Sequence, residues 1–185
     1  MQTIDPRHLL VGMARILKRL KIPYMITGGI AVLVWGRPRF TADIDIVVEL
    51  KEGNSAAVFL KALKSFSKAG YIDEEAMTRA ILTGGEFNFI DGETGVKVDF
   101  WVLKKNNPFD RSRSKRKKTK MVLGEKIYFT SPEDLVLIKL KWYKESHSDR
   151  QFEDVQSILK KWALNLGVSE ILERIKALTK KSNGI

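Results

Sequence analysis

The sequence predicts an α/β fold, a small mixed sheet flanked by helices with a further helical part at the C-terminal end. Apolar residues recur at helical spacing around 9–20 and 56–66. Two β-rich runs, Asp43 to Leu50 and Val96 to Val102, alternate faces as strands do. After residue 130 the remaining long patterns are helical. With 185 residues the chain can bury a sizeable core. The reading divides it into a core over 1–129 and a helical subdomain over 130–185.

Each element has a local reason. Asp5-Pro6, a capping carboxylate and a first-turn proline, opens a helix whose Leu9, Leu10, Met13, Ile16, Leu17 and Leu20 share a face. Pro23 ends it. Tyr24 to Thr27 then reads as a short strand running into Gly28-Gly29, and Ile30 to Trp35 as a buried helix. A loop over 37–39 leads to the strand from Asp43. Ser55 can cap a helix bearing Val58, Phe59, Leu60, Leu63 and Phe66, ending near Gly70. Residues 71–95 predict a helical turn around Asp73 to Ile81 and a strand at Glu86 to Ile90. Turn residues 91–95 join that strand to Val96–Val102 as a hairpin. Lys126 to Phe129 reads as a strand, and Ser131-Pro132-Glu133-Asp134 is a complete helix start. Asp149 to Trp162 and Val168 to Thr179 follow as amphipathic helices.

Composition excludes several classes. There is no cysteine, so neither a disulfide framework nor a thiolate metal site exists, and His8 and His147 are the only imidazoles. The apolar run Ile26 to Trp35 is about half the ~20 residues a membrane span needs. The N-terminus has no basic region leading into an apolar stretch. The expectation is a cytoplasmic protein without a membrane partner. The net charge of +11 is uneven: residues 1–103 hold 13 basic and 12 acidic side chains, and 104–185 hold 20 and 10. Such a field attracts polyanions and also serves solubility.

Asp43 and Asp45 lie one residue apart on the predicted strand and therefore share a face, while Ile44 and Ile46 point to the core. Asp99 occupies the polar face of the later strand beside Lys97 and Trp101. Three carboxylates of this kind can hold divalent metal against the oxygens of a phosphoryl group. Gly28 and Gly29 place backbone N–H groups at a helix start with no Cβ in the way, which suits a phosphate.

Gly28-Gly29, then Asp43-x-Asp45, then Asp99 resembles, in kind and order, the signature of nucleotidyltransferases of the DNA polymerase beta superfamily. The fuller run with Ala31, Gly36, Arg39 and Thr41 looks more narrowly like the AbiEii-type toxin and minimal nucleotidyltransferase groups. Ser131-Pro-Glu-Asp-Leu, Lys139, Arg150-Gln151 and Asp154 are similar to their helical tail. The resemblance implies a nucleotidyltransferase-like fold. It implies Asp43, Asp45 and Asp99 as catalytic metal ligands for Mg2+ or Mn2+, Asp99 doubling as a base. Gly28, Gly29, Arg39, Thr41 and Lys139 would bind a nucleoside triphosphate, and a cognate antitoxin becomes a candidate partner.

By composition alone Lys139 reads as a solvated helix residue, Arg150 and Asp154 as a surface ion pair at i,i+4, and the four tryptophans as core. Asp110 to Lys120 carries seven basic residues and no apolar one. It reads as a mobile loop whose Arg111, Arg113, Lys115, Arg116, Lys117 and Lys118 could contact RNA or tRNA through phosphates. This tilts the acceptor towards RNA or protein. A small-molecule acceptor such as an antibiotic, and a catalytically inactive basic adaptor for nucleic acid or a partner protein, stay open.

Overall fold

In the computed structural model, which describes residues 5–51, 53–103 and 107–166, the cap-and-proline starts behave as the sequence predicts. The Asp5 carboxylate accepts from the Arg7 N–H at 2.9 Å and opens α1 (Pro6–Arg19). Ser131 Oγ accepts from the Asp134 N–H at 3.2 Å and opens α6 (Pro132–Ser146). Between them run β1 (Tyr24–Ile26), α2 (Gly28–Trp35), β2 (Ile44–Val48), α3 (Asn54–Phe66), β3 (Tyr71–Ile72), α4 (Glu74–Thr83), β4 (Glu86–Ile90) and β5 (Lys97–Val102). Then come α5 (Pro108–Arg116), β6 (Lys118–Val122) and β7 (Glu125–Phe129), and α7 (Asp149–Leu166) follows α6. Gly53, not Ser55, precedes the first turn of α3. The expected helix over Val168–Thr179 lies outside the described residues.

The seven strands form one mixed sheet in the order β3-β4-β5-β2-β1-β7-β6. β2 runs parallel to β5 and β1 parallel to β7, and the other neighbours are antiparallel. The two-residue alternation decides the faces. Ile44, Ile46, Val98, Phe100 and Phe87 are buried on one side, where Phe59 of α3 meets Phe100 edge-on and Phe87 stacks on it. The opposite side carries Asp45, Val47, Asp99 and Trp101. There α6 crosses the sheet, with Trp142 tilted against Trp101 at 6.1 Å between ring centroids. α7 packs on α6 and α2, so the helical part roofs the polar face of the sheet.

The segment 110–120 is not a loop. Asn107 accepts from the Phe109 and Asp110 N–H groups at 2.9 and 3.3 Å, Pro108 fills the first turn, and the charged run continues as α5 and then β6. Ion pairs replace the missing apolar face: Arg113 bonds Asp110 at 2.9 Å, and Arg116 reaches the buried Asp134 of α6 at 3.1 Å. β6 pairs with β7 as a hairpin at the sheet edge, where exposed Lys118 and Lys120 suit an unpaired edge.

Candidate active site

The polar face of β2 and the start of α2 meet in a way that only glycine permits. Gly28 has φ +59°, and a Cβ there would overlap the Asp45 carboxylate. A Cβ on Gly29 would overlap Thr41 Oγ1 and come within 3.2 Å of Arg39 Nη2. The glycine pair thus admits protein side chains as well as leaving room for a ligand. Gly28, Gly29, Arg39, Thr41, Asp43, Asp45 and Lys139 line one cavity of about 270 Å³, together with Trp142, Arg150 and Gln151. Asp43 directly precedes β2. Asp99 is not in that lining, but stands in register with Asp45 on the adjacent parallel strand. Its carboxylate pairs with Lys97 at 2.9 Å.

Burial, and next the Asp99 charge, raises the Asp45 pKa; the Trp101 indole N–H, the Gly29 N–H and Lys139 act the other way. The Trp101 N–H falls short of hydrogen-bond geometry, leaving Nε1 buried without a bonded partner. A buried carboxylate of raised proton affinity, crowded by a second one, is what a cation would relieve. Among the described residues no three acidic or imidazole side chains form a ready metal site. The donor set fits magnesium or manganese bound through one or two carboxylates plus substrate phosphates, the usual manner of Mg2+, and fits a preformed all-protein cage poorly.

Behind the cavity lies a buried charge network. Asp154 of α7 is 0% exposed and accepts from Arg39 Nε at 2.8 Å and Nη2 at 3.0 Å, with Lys139 Nζ also 3.0 Å away. Lys139 bonds Gln151 at 2.8 Å and sits 5.2 Å from the Trp142 ring centroid. Burial pushes the Lys139 pKa down, against the opposing pull of Asp154. Lys139 is therefore not a solvated residue, and Arg150 and Asp154 are not a surface pair, since Arg150 donates to the Phe40 carbonyl at 2.8 Å. An i,i+4 spacing cannot reveal a partner on another element.

The sequence reading also missed Glu86, which stands opposite Trp101 on β4 and feels both Asp99 and Asp45. Trp101 and Trp142 line clefts and do not fill the core. Of the six basic residues expected at nucleic acid, Arg113 and Arg116 are ion-paired and Lys117 lies over the Tyr128 ring; Arg111, Lys115 and Lys118 are exposed. A separate hollow of about 520 Å³ between α3 and α4 is lined mainly by apolar side chains on the far side of the sheet.

A helix opened by paired glycines against a strand that presents alternate aspartates, on a mixed sheet closed by helices, places the chain among nucleotidyltransferase folds. Over residues 7–185 it matches the family described as nucleotidyl transferase of unknown function (DUF2204). The chain belongs to that family and is a nucleotidyl-transferring enzyme, of a class that takes nucleoside triphosphates and generally uses divalent metal.

Several solved structures share the fold. ANT(2")-Ia in complex with adenylyl-2"-tobramycin superposes over 95% of this chain and 98% of that one, with TM-score 0.60 and 14% identity. An antigenic nucleotidyltransferase-like protein from Paracoccidioides brasiliensis covers 96% and 88%, with TM-score 0.57 and 19% identity. The lincosamide antibiotic adenylyltransferase LnuA, lincomycin-bound, covers 84% and 98%, with TM-score 0.56 and 15% identity. No curated protein sequence matches the chain. Among the described residues no helix is long and apolar enough to cross a membrane.

Proposed function

We propose that the enzyme moves a nucleoside monophosphate from a nucleoside triphosphate to an acceptor hydroxyl, with Asp43, Asp45 and Asp99 holding Mg2+ or Mn2+. The observation that carries the reading is one cavity that joins the Gly28–Gly29 turn to Asp43, Asp45 and Lys139. When bound, the ion supplies charge neutralisation on the phosphates and a lower pKa for the attacking hydroxyl. The α2 N-terminus offers its N–H groups to the triphosphate, and Lys139 and Arg39, held by Asp154, set positive charge behind it. The acceptor oxygen bonds to the α-phosphorus as the α–β bridging P–O bond breaks. The hydroxyl proton passes to Asp99, and pyrophosphate leaves. Positioning and charge complementarity supply the rate. Lys139 and the Arg150–Asp154 segment, the AbiEii-like part of the sequence, enter as the wall of this cavity and assign neither a toxin role nor an antitoxin.

The test is thermal unfolding with magnesium, with each triphosphate, and with both. At a ligand concentration about 100 times Kd, joint binding stabilises by about 2.7 kcal/mol. That is a rise of roughly 5–11 °C for a chain of this size. Asp43→Ala with Asp45→Ala should abolish it. No joint stabilisation by any triphosphate would overturn the reading in favour of a non-catalytic adaptor.

A further inference from the structure

A second cleft, of about 550 Å³, lies between α5, α6 and the sheet, and it meets the metal-and-triphosphate cavity at Trp142. We infer that this cleft seats the acceptor, a small hydroxyl-bearing organic molecule that offers a ring face to Trp101 and Trp142 and a hydrogen-bond acceptor to the sheet. The inference rests on the transfer reaction proposed above and adds the class of molecule that receives the nucleotide.

One lining group points to a ligand. Thr27, 3% exposed, caps α2 without using its side chain, and its Oγ1 has no hydrogen-bond partner. A buried hydroxyl ordinarily finds a partner; an oxygen of a ligand in the cleft would serve it. The Trp101 indole N–H is aimed at Asp45, so Trp101 contributes its ring to the cleft. Trp101 is two residues from Asp99 on the same face of β5, about 7 Å along the strand. A molecule bound there therefore places a hydroxyl beside the carboxylates. The volume falls in the range of small-molecule sites, roughly 300–1,000 Å³.

The far wall is α5, the segment whose composition suggested nucleic acid. Folded, it turns Asn107, Asp110 and Arg113 to the cleft, with Arg113 already neutralised by Asp110. Among the described residues Lys141, exposed on α6, is then the one lining cation outside that pair, too few for a polyanion. A polar, uncharged hydroxylated ring finds aromatic walls and donors.

The test is NMR on the full chain, ligand-observed for binding and 15N-observed for the indole N–H signals, with a library of hydroxylated ring compounds (monosaccharides, nucleosides and aryl glycosides), set beside a single-stranded RNA 12-mer. Library members should bind and move the Trp101 and Trp142 indole signals. Thr27→Val, which removes an unbonded hydroxyl, should unfold no earlier than the parent and weaken binding about fivefold, as for one hydrogen bond. Leu137 of α6 is half-buried and lines this cleft but not the metal-and-triphosphate cavity. Leu137→Trp should therefore fill the cleft and cut library binding at least tenfold while leaving Mg·triphosphate stabilisation intact. Absence of library binding, binding equal in Leu137→Trp, indole shifts caused by RNA, or loss of triphosphate binding in Leu137→Trp (a nucleobase occupying the cleft) would each overturn the inference. Failure of the transfer reading shows separately, as absent joint stabilisation by magnesium and triphosphate.

Discussion

Asp154→Asn tests the buried network most sharply. The carboxylate is fully enclosed and bonds two cations that are themselves nearly enclosed: Lys139 is 2% exposed, and the Arg39 side chain 12%. At 3.0 Å and an effective dielectric near 20, one such attraction is about 5 kcal/mol gross. Breaking a buried pair by removing one partner costs about 3–5 kcal/mol net. At about 2–4 °C per kcal/mol for a chain of this size, the expected fall in melting midpoint is roughly 6–20 °C. The pH dependence carries its own sign. Burial already depresses the Lys139 pKa below its usual 10.5, and Asp154 resists that; without the carboxylate the depression deepens. Between the depressed folded value and 10.5 the unfolded chain binds more protons, so stability rises with pH there. The deficit of the variant should shrink between pH 7 and pH 9.5 in urea unfolding. Adding Lys139→Met, which removes the stranded ammonium, should recover part of the loss. A variant within about 1 kcal/mol of the parent at pH 7, or a deficit that grows with pH, would refute the reasoning, because it would place Asp154 in contact with solvent.

Asp45→Asn should abolish nucleotide transfer and yet raise the melting midpoint in chelator-treated protein at pH 7. Burial and Asp99 raise the folded pKa of Asp45, so the parent loses stability as pH climbs from the unfolded value of about 3.8 through the folded one; the amide removes that loss, and the gap should close towards pH 3. Gly28→Ala should lose the joint magnesium–triphosphate stabilisation and unfold earlier by more than the roughly 1–2 kcal/mol of left-handed backbone strain, because its methyl also displaces Asp45. Both are read by thermal scans with and without ligand.

What could be read from the sequence was what is local. Asp5-Pro6 and Ser131-Pro132 specify helix starts within four residues, and Gly28-Gly29 with Asp43-x-Asp45 specifies a turn and a face. The loop expected over 110–120 missed α5, although Asn107-Pro108 repeats the same cap-then-proline grammar, because no apolar stripe follows it. The stripe is missing because Asp110 and Asp134 hold α5 through ion pairs, and Asp134 lies on another helix. Asp154 illustrates the same limit. Its neighbour at i−4, Arg150, suggested a surface pair, whereas its partners Arg39 and Lys139 arrive from a loop and from α6. Hydrophobic periodicity reports burial well; the charge partner of a buried ion is set by tertiary geometry alone.

The site holds opposed charges on its two sides. Asp43 and Asp45 line the cavity on the sheet side, with Asp99 in register beside Asp45, and opposite them Arg39 and Lys139 outnumber Asp154, the carboxylate between them. A bare triphosphate would gain from the cations and be repelled by the carboxylates; a bare metal ion would meet the reverse. On the proposed function a metal–triphosphate complex would satisfy both walls, so stabilisation by the two together should exceed the sum of each alone. Asp45 bridges these demands. The Gly29 N–H and the close approach to Gly28 seat the carboxyl at the start of α2, while burial and Asp99 raise its proton affinity. Ligand binding must then release a proton wherever Asp45 is still protonated, so the apparent affinity for Mg·triphosphate should strengthen as pH rises through the raised pKa of that carboxyl.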